Sequence, residues 1–182
     1  MGRDETSPGW AVWFTGLPAA GKTTLARTLQ RRLAREGICA VLLDSDELRP
    51  ILTPQPTFTP GEREDFYRRL TQLAATLVEQ GVHVLIAATG NRQHYRDFAA
   101  RLLPHLALVW VRCAPETCRR RDPKGLYRRA LAGEIRNFPG VDAAYEPPAE
   151  PVAVVDTDRE GPDQAVERLL VTLPFLRSGD SG

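Results

Sequence analysis

The octapeptide GLPAAGKT at residues 16–23 constrains the fold of this 182-residue chain more than any other feature. It matches the pattern G-x-x-x-x-G-K-[ST], whose glycines let the backbone turn tightly so that N–H groups surround phosphate oxygens. An apolar run at residues 10–15 precedes it, and a helical pattern with Leu25, Leu29 and Leu33 follows it. Because the motif requires a strand before it and a helix after it, we interpret it as a phosphate-binding loop rather than a chance match on a surface loop.

This loop predicts a binding site for ATP and Mg²⁺. Lys22 is expected to reach the β and γ phosphates and to act in catalysis, and the Thr23 hydroxyl is suited to Mg²⁺. The predicted ATP-binding residues of the loop are Gly16, Ala19, Ala20, Gly21, Lys22, Thr23 and Thr24.

Five short apolar runs alternate with helical patterns along the chain. The runs are residues 10–15, 39–44, 82–88, 107–113 and 152–156. Each is continuously apolar, as in strands that are buried on both faces of a parallel sheet. The chain is therefore predicted to form an α/β fold with three layers, a five-stranded parallel sheet and one domain over residues 1–182. Ligands of such a fold bind at the carboxyl ends of the strands.

One segment, residues 119–151, interrupts this alternation. It is dense in charged residues, glycine and proline, and it is long for a connection inside a compact domain. Long connections of this kind are often functional, so we predict a mobile lid over the active site.

The composition excludes several classes of protein. The formal net charge of +1 is far from the basic excess of a dedicated nucleic-acid binder. No apolar run reaches the roughly 20 residues that a membrane span needs, and the polar N-terminus does not resemble a signal peptide. Cys39, Cys113 and Cys118 lack metal-ligand spacing, so we interpret them as buried thiols in a reducing, cytoplasmic compartment.

Two carboxylates, Asp44 and Asp46, follow the second predicted strand at the edge of the sheet that carries the phosphate-binding loop. One of them can accept the proton of an attacking hydroxyl, while the other holds a water of Mg²⁺ or orients Arg49. The alternative is that one of them only caps the next helix, because aspartate is a good N-cap. The pair favours small-molecule phosphotransfer over a GTPase switch.

Within the predicted lid, the run RDPKGLYRRALAGEI at residues 121–135 and its continuation NFPGVDAAYEPP at residues 137–148 resemble the lid of adenylylsulfate kinases. The resemblance extends from Trp13 to about Asp156. It implies transfer of the ATP γ-phosphate to the 3′-hydroxyl of adenosine 5′-phosphosulfate with Mg²⁺, and a homodimer. The acceptor would thus be a small nucleotide, and neither a nucleic acid nor a membrane.

The resemblance also implies roles for individual residues. Asp44 matches the proposed base, and Lys124 matches a lysine of the lid near the phosphates, so both are predicted to be catalytic. Arg121 matches a residue beside the ATP adenine. The residues that match the acceptor site are Asp46, Arg49, Phe58, Arg63 and Phe138, of which Phe58 and Phe138 would sandwich the adenine.

Several positions depart from the pattern of the family, and they lie on the acceptor side. The family's Asp-Gly-Asp reads Asp44-Ser45-Asp46, Phe66 stands where an amide contacts the acceptor, and the turn after strand three reads AATGN at residues 87–91. Phosphotransfer is therefore expected to be intact, while the acceptor can have changed. Two alternatives stay open: a kinase of the same fold that acts on another hydroxyl, and a regulatory subunit that binds nucleotide without catalysis.

Overall fold

The computed structural model describes residues 8–177. The terminal segments 1–7 and 178–182, which the sequence predicts to be loose ends, lie outside the described residues. None of the helices within 8–177 combines the length and the apolar character that are needed to cross a bilayer.

Five parallel strands form one sheet in the order β2-β3-β1-β4-β5. Their bounds are β1 Ala11–Thr15, β2 Ala40–Asp44, β3 His83–Ala87, β4 Leu106–Arg112 and β5 Ala153–Asp156. All five coincide with the predicted apolar runs to within about one residue. The structure thus confirms the five-stranded parallel sheet.

Seven α-helices and a 3₁₀ turn at Pro174–Leu176 connect and flank the strands. The helices are α1 Lys22–Ala34, α2 Ser45–Leu52, α3 Pro60–Glu79, α4 Gln93–Leu102, α5 Pro115–Arg121, α6 Leu126–Leu131 and α7 Pro162–Thr172. Helices α1, α3, α4 and α7 match the leucine and aromatic patterns of the sequence. Helices α2, α5 and α6 have eight residues or fewer, and such short helices leave no recognisable apolar period.

The sheet separates two hydrophobic cores, which makes the fold three-layered. On one face, side chains such as Phe14, Val109 and Val155 pack against α1 and α7. On the other face, Trp13 and Ile86 pack against α3 and α4. Since consecutive residues of a strand point to opposite faces, continuously apolar strands are what a sheet covered on both sides requires.

The predicted lid, residues 119–151, contains the end of α5 and all of α6, and its Tyr127 and Ala130 are buried in the core that packs against α1 and α7. One expectation from the sequence needs correction. Cys39 is exposed rather than buried, since it lies just before β2, whereas Cys113 and Cys118 are buried as predicted. A short apolar context around a cysteine does not reveal whether the side chain points inward.

Candidate active site

The phosphate-binding loop joins β1 to α1 at the carboxyl edge of the sheet. Ala19 and Gly21 have left-handed backbone, with φ of 60° and 100°. No side chain caps the start of α1, so the N–H groups of its first turn are available to an anion, which the positive end of the helix also favours. The loop therefore has the geometry that a polyphosphate requires.

Two predicted members of the loop contribute to its shape rather than to its open surface. Gly16 is needed because a Cβ atom there would lie 2.3 Å from the Val111 carbonyl oxygen. Ala20 is fully buried, and its N–H donates to the Leu17 carbonyl oxygen at 3.2 Å. Neither residue lines the cleft, whereas Ala19, Gly21, Lys22, Thr23 and Thr24 do.

Lys22 is a buried cation of the site. Its Nζ donates to the carbonyl oxygens of Gly16 at 3.1 Å and Leu17 at 2.8 Å. Burial lowers the pKa of Lys22 to about 8, and the nearby carboxylates of Asp46 and Asp44 only partly oppose this shift. An ammonium that is held among neutral carbonyls lacks a direct anionic partner, and a phosphate oxygen would supply one.

Thr23 and Asp44 form a hydrogen-bonded pair beside Lys22. The Thr23 hydroxyl donates to Asp44 Oδ2 at 2.7 Å, and the Asp46 N–H donates to Asp44 Oδ1 at 2.9 Å. Asp44 is thus the N-cap of α2, which the sequence left open for either aspartate. The cap holds this buried carboxylate in one orientation, so capping and a role in catalysis are compatible.

The donor set of this pair fits Mg²⁺. A hydroxyl oxygen and a carboxylate oxygen lie within hydrogen-bond distance of each other, and hard oxygen ligands are those that Mg²⁺ prefers. Residues 8–177 contain no cluster of three or more acidic, histidine or cysteine side chains that could hold a metal ion by themselves. Mg²⁺ commonly binds proteins through one or two carboxylates together with substrate phosphates.

Asp46 connects the second strand to the predicted lid. Its Oδ2 accepts a hydrogen bond from Lys124 Nζ at 2.7 Å, and this bond raises the pKa of Lys124. The sequence offered the alternative that one aspartate orients Arg49, but Arg49 pairs with Glu62 instead, at 2.7 Å. Lys124 is 78 residues from Asp46 in the sequence, and only the folded chain brings the two together.

Arg49 and Arg63 surround Phe58 on the opposite wall of the cleft. The Arg49 guanidinium lies 3.8 Å from the centroid of the Phe66 ring and 5.1 Å from that of Phe58. The Arg63 guanidinium lies 5.6 Å from the Phe58 centroid. Cations that lie near aromatic faces are attracted to them, so this wall combines a stacking surface with positive charge.

Arg63 also joins two loops. Its Nε donates to the Phe58 carbonyl oxygen at 3.2 Å, and its Nη2 donates to the Asn137 carbonyl oxygen. Phe58 and Asn137 both have a φ of 57°, in the left-handed region that non-glycine residues rarely adopt. Arg63 therefore holds the loop before α3 against the predicted lid.

Phe138 is more buried than its polar sequence context indicates. Only 6% of the residue is exposed, and its ring packs edge to face against Tyr127 at 5.0 Å between centroids. It belongs to the first hydrophobic core and also lines the cleft. Phe138 therefore contributes to the core as well as to the cleft, whereas Phe58 is half-buried.

Hydrogen bonds tie the predicted lid to the phosphate-binding loop and to the end of β5. The Tyr127 hydroxyl donates to the Pro18 carbonyl oxygen at 3.1 Å. Arg121 donates to the Thr157 carbonyl oxygen at 2.7 Å, and the Thr157 hydroxyl donates to the Ala20 carbonyl oxygen at 2.9 Å. Through Thr157, these bonds connect Arg121 to the phosphate-binding loop.

All these features meet in one cleft of about 1290 Å³. It is lined by the predicted residues Lys22, Thr23, Thr24, Asp44, Asp46, Arg49, Phe58, Arg63, Arg121, Lys124 and Phe138, together with Ala19 and Gly21. Of the predicted site residues, only Gly16 and Ala20 lie outside the lining.

Further residues that line the cleft were not predicted as site residues from the sequence. They include Tyr67, Thr89, Tyr127 and Thr157. Thr89 and Thr157 follow the ends of β3 and β5, so the rule that ligands bind at the carboxyl ends of strands could have indicated them. Nothing local in the sequence distinguishes Tyr67 and Tyr127 as residues of the cleft.

Comparison with known proteins gives a consistent result. The model of the family described as adenylylsulphate kinase matches residues 8–156. A probable adenylyl-sulfate kinase of Halalkalibacterium halodurans is 39% identical, over 92% of this chain and 84% of the relative. The adenylyl-sulfate kinase of Pseudomonas aeruginosa is 38% identical, over 87% of this chain and 82% of the relative.

Solved structures lead to the same family. The Mycobacterium tuberculosis APS kinase, in complex with AMPPNP and APS, superposes with a TM-score of 0.87 at 34% identity. The match covers 92% of this chain and 98% of that one. The resemblance that the lid sequence indicated is confirmed by a match over most of the chain, and the protein belongs to the adenylylsulphate kinase family.

Proposed function

We propose that this protein is an adenylyl-sulfate kinase, which transfers the γ-phosphate of ATP to the 3′-hydroxyl of adenosine 5′-phosphosulfate. The products are ADP and 3′-phosphoadenosine 5′-phosphosulfate. The observation that carries the proposal is the convergence in one cleft of a phosphate-binding loop, a fixed carboxylate and a wall of aromatic and arginine side chains. Membership of the family supports the choice of acceptor.

On the donor side, the first turn of α1 and Lys22 bind the phosphates. Lys22 stabilises negative charge that develops on the transferring group, and it is already in place before the reaction begins. Thr23 and Asp44 are the residues that would hold Mg²⁺. When bound, that cation neutralises charge on the β and γ phosphates. Arg121, beside Thr157, borders the site for the ATP adenine.

Asp44 acts as the base for the acceptor hydroxyl. Its two oxygens each accept one hydrogen bond, from Thr23 and from the Asp46 N–H. A carboxylate oxygen has a second lone pair, which remains available to the hydroxyl proton. Because its orientation is fixed by the start of α2, Asp44 loses little entropy when the acceptor binds.

On the acceptor side, Phe58 and Phe138 provide aromatic surface for the adenine. Arg49 and Arg63 provide positive charge for the phosphosulfate, since each keeps a guanidinium N–H for which no protein acceptor lies among residues 8–177. Asp46 orients Lys124 toward the cleft. This arrangement places two anionic nucleotides against preorganised cations, as phosphoryl transfer requires.

Residues 119–151 act as a lid that moves during the catalytic cycle. The contact between Lys124 and Asp46 is a pair of side chains that are each more than half exposed. Such exposed pairs contribute only about 0–1 kcal/mol, so the contact can open and close readily. In the closed position it excludes water, which limits hydrolysis of ATP.

A coupled ADP-release assay with ATP, Mg²⁺ and adenosine 5′-phosphosulfate tests the proposal, with a parallel reaction that lacks the acceptor. Fast turnover that depends on this acceptor is expected. A panel of other nucleotides and small alcohols tests the first alternative, a kinase for another hydroxyl. Stoichiometric ATP binding without turnover on any acceptor would instead support the regulatory subunit.

We also propose a homodimer in the cytoplasm, on the basis of the family and the free thiols. Light scattering coupled to size-exclusion chromatography measures the mass of the assembly. A mass of one chain, at the concentrations used for the assay, would contradict the dimer.

A further inference from the structure

The turn that follows β3, residues 88–91, is held from several sides. Four side-chain hydrogen bonds reach its backbone: Trp13 Nε1 to Ala88 O at 2.9 Å, Thr15 Oγ1 to Thr89 O at 2.7 Å, Gly90 N to Tyr67 Oη at 2.9 Å, and Arg96 Nη1 to Gly90 O. The donors and the acceptor come from β1, α3 and α4. A turn that is bound by three elements has little freedom to move.

Packing restricts the same turn further. Gly90 has a φ of +47°, and a Cβ atom there would lie 3.0 Å from Trp13 Cζ2. The residue therefore needs both the backbone freedom and the small size of glycine. As a result, the neighbouring Thr89 is presented to the cleft in a defined position.

Two residues at this turn line the cleft and carry hydroxyl groups with unused hydrogen-bonding capacity among residues 8–177. Tyr67 and Thr89 both line the cleft. Tyr67 Oη accepts the Gly90 N–H, but no acceptor for its own hydrogen lies within residues 8–177. The Thr89 hydroxyl has no protein partner in that part of the chain either. We call these two groups the hydroxyl pair.

The hydroxyl pair lies on the acceptor side. Tyr67 is on α3, one turn after Arg63, and its charge environment includes both Arg49 and Arg63. Burial raises the pKa of Tyr67, so the phenol stays protonated and can donate. A buried donor without an acceptor costs about 1–3 kcal/mol, and a bound molecule with a lone pair would remove that cost.

Resting on the proposed function, we propose that the hydroxyls of Tyr67 and Thr89 form a polar subsite that donates hydrogen bonds to the acceptor nucleotide and thereby helps determine its identity. The bonded atoms are lone pairs on oxygen or nitrogen, and they belong either to the adenosine 5′-phosphate part or to the sulfate. A site that is built to hydrogen-bond its substrate discriminates strongly against molecules that cannot accept those bonds.

The test compares Tyr67→Phe and Thr89→Val with the wild-type enzyme in steady-state kinetics. Each variant removes one hydroxyl. We expect the KM for adenosine 5′-phosphosulfate to rise roughly 3- to 10-fold in each, the equivalent of one hydrogen bond, while the KM for ATP stays within about twofold. Adenosine 5′-phosphate as an inhibitor separates the two parts of the acceptor. If a variant raises the inhibition constant of adenosine 5′-phosphate as much as it raises the acceptor KM, the lost hydrogen bond was to the nucleoside phosphate. If the inhibition constant is unchanged, the lost hydrogen bond was to the sulfate.

This experiment has a control variant, Tyr95→Phe, and an internal comparison between its two test variants. Tyr95→Phe removes a hydroxyl from a ring that is stacked on Tyr67 at 4.6 Å and is similarly buried, but that does not line the cleft. It should leave both KM values unchanged. Tyr67→Phe also removes the acceptor of the Gly90 N–H, whereas Thr89→Val alters none of the bonds that hold the turn. An unchanged acceptor KM in Thr89→Val therefore overturns the proposal, even if Tyr67→Phe is impaired.

Direct calorimetric titration with adenosine 5′-phosphosulfate, in the presence of ADP and Mg²⁺, separates this proposal from the proposed function. If the wild-type protein binds the nucleotide without turnover, the proposed function fails, and the ratio of Kd values between wild type and Thr89→Val still decides on the hydroxyl pair. If the wild-type protein binds neither this nucleotide nor adenosine 5′-phosphate, the hydroxyl pair is not a nucleotide subsite and the proposal is overturned.

Discussion

The proposed donor and acceptor sides of the cleft are built in different ways. The donor side comes mainly from one continuous stretch, the loop after β1 and the first turn of α1, with Asp44, Arg121 and Thr157 as its neighbours. The acceptor side is assembled from α2, α3, the turn after β3 and the predicted lid. Its contacts therefore join residues that are far apart in the sequence, such as Arg63 and Asn137.

Because of this difference, we expect the two sides to determine different kinetic constants. On the donor side, backbone N–H groups act together with the side chains of Lys22 and Thr23 on the phosphates of ATP. The acceptor side uses side chains, each of which can be exchanged without loss of the loop. We therefore expect substitutions on the donor side to lower kcat, and those on the acceptor side to raise KM for the acceptor.

The largest effect is expected for Lys22→Ala. Loss of a cation that stabilises the transferring phosphoryl group lowers kcat on the order of 10³- to 10⁵-fold, so turnover is practically abolished. Single-turnover assays at saturating ATP measure this loss. If Lys22→Ala has a kcat near that of the wild type, Lys22 does not stabilise the transferring phosphoryl group.

The next largest effect is expected for Asp44→Asn. Asparagine can still cap α2, so the fold and ATP binding should be retained. Without a base, kcat should fall roughly 10²- to 10⁴-fold. Asp46→Asn is the matched control, because it removes an exposed ion pair with Lys124 and should have a smaller effect. Full activity of Asp44→Asn would show that the base lies elsewhere.

Phe58 and Phe138 test whether the acceptor side binds the adenine of the acceptor. Phe58→Ala and Phe138→Ala should each raise the acceptor KM roughly tenfold, more than the ATP KM, because stacking on a base contributes about 1–3 kcal/mol. Phe138→Ala should also lower the free energy of unfolding by about 3–5 kcal/mol, since this ring is part of the core. Kinetics and urea denaturation measure the two effects. A larger change in the ATP KM would place the ring on the donor side.

The smallest effect is expected for the pH dependence of ATP affinity. Burial lowers the pKa of Lys22 in the free protein to about 8, and bound phosphates favour its charged form. ATP affinity should therefore be constant below that pKa as far as Lys22 is concerned, and should fall by up to about tenfold per pH unit above it. Titration calorimetry between about pH 8 and pH 9.5 measures this slope. Lys22→Met should bind ATP more weakly and show no such slope, and a flat wild-type profile would contradict the lowered pKa.

Much of the fold could be predicted because its elements are locally encoded. The strands are continuous apolar runs, and the long helices repeat apolar residues at helical spacing, so both were visible in the sequence. The short helices α5 and α6 were not, since they are stabilised by tertiary contacts such as the burial of Tyr127 rather than by their own periodicity. The same reason explains why the burial of Phe138 was not visible in the sequence.

By itself, the sequence determined the three-layer architecture and the phosphate-binding loop, because strand burial, helix period and glycine spacing act over a few neighbouring residues. Only the tertiary structure decided which charges pair across the cleft. Lys124 meets Asp46, Arg49 meets Glu62, and the hydroxyls of Tyr67 and Thr89 come to the same turn. Those contacts depend on how separate elements pack, and the packing of distant side chains has no local signature in the chain.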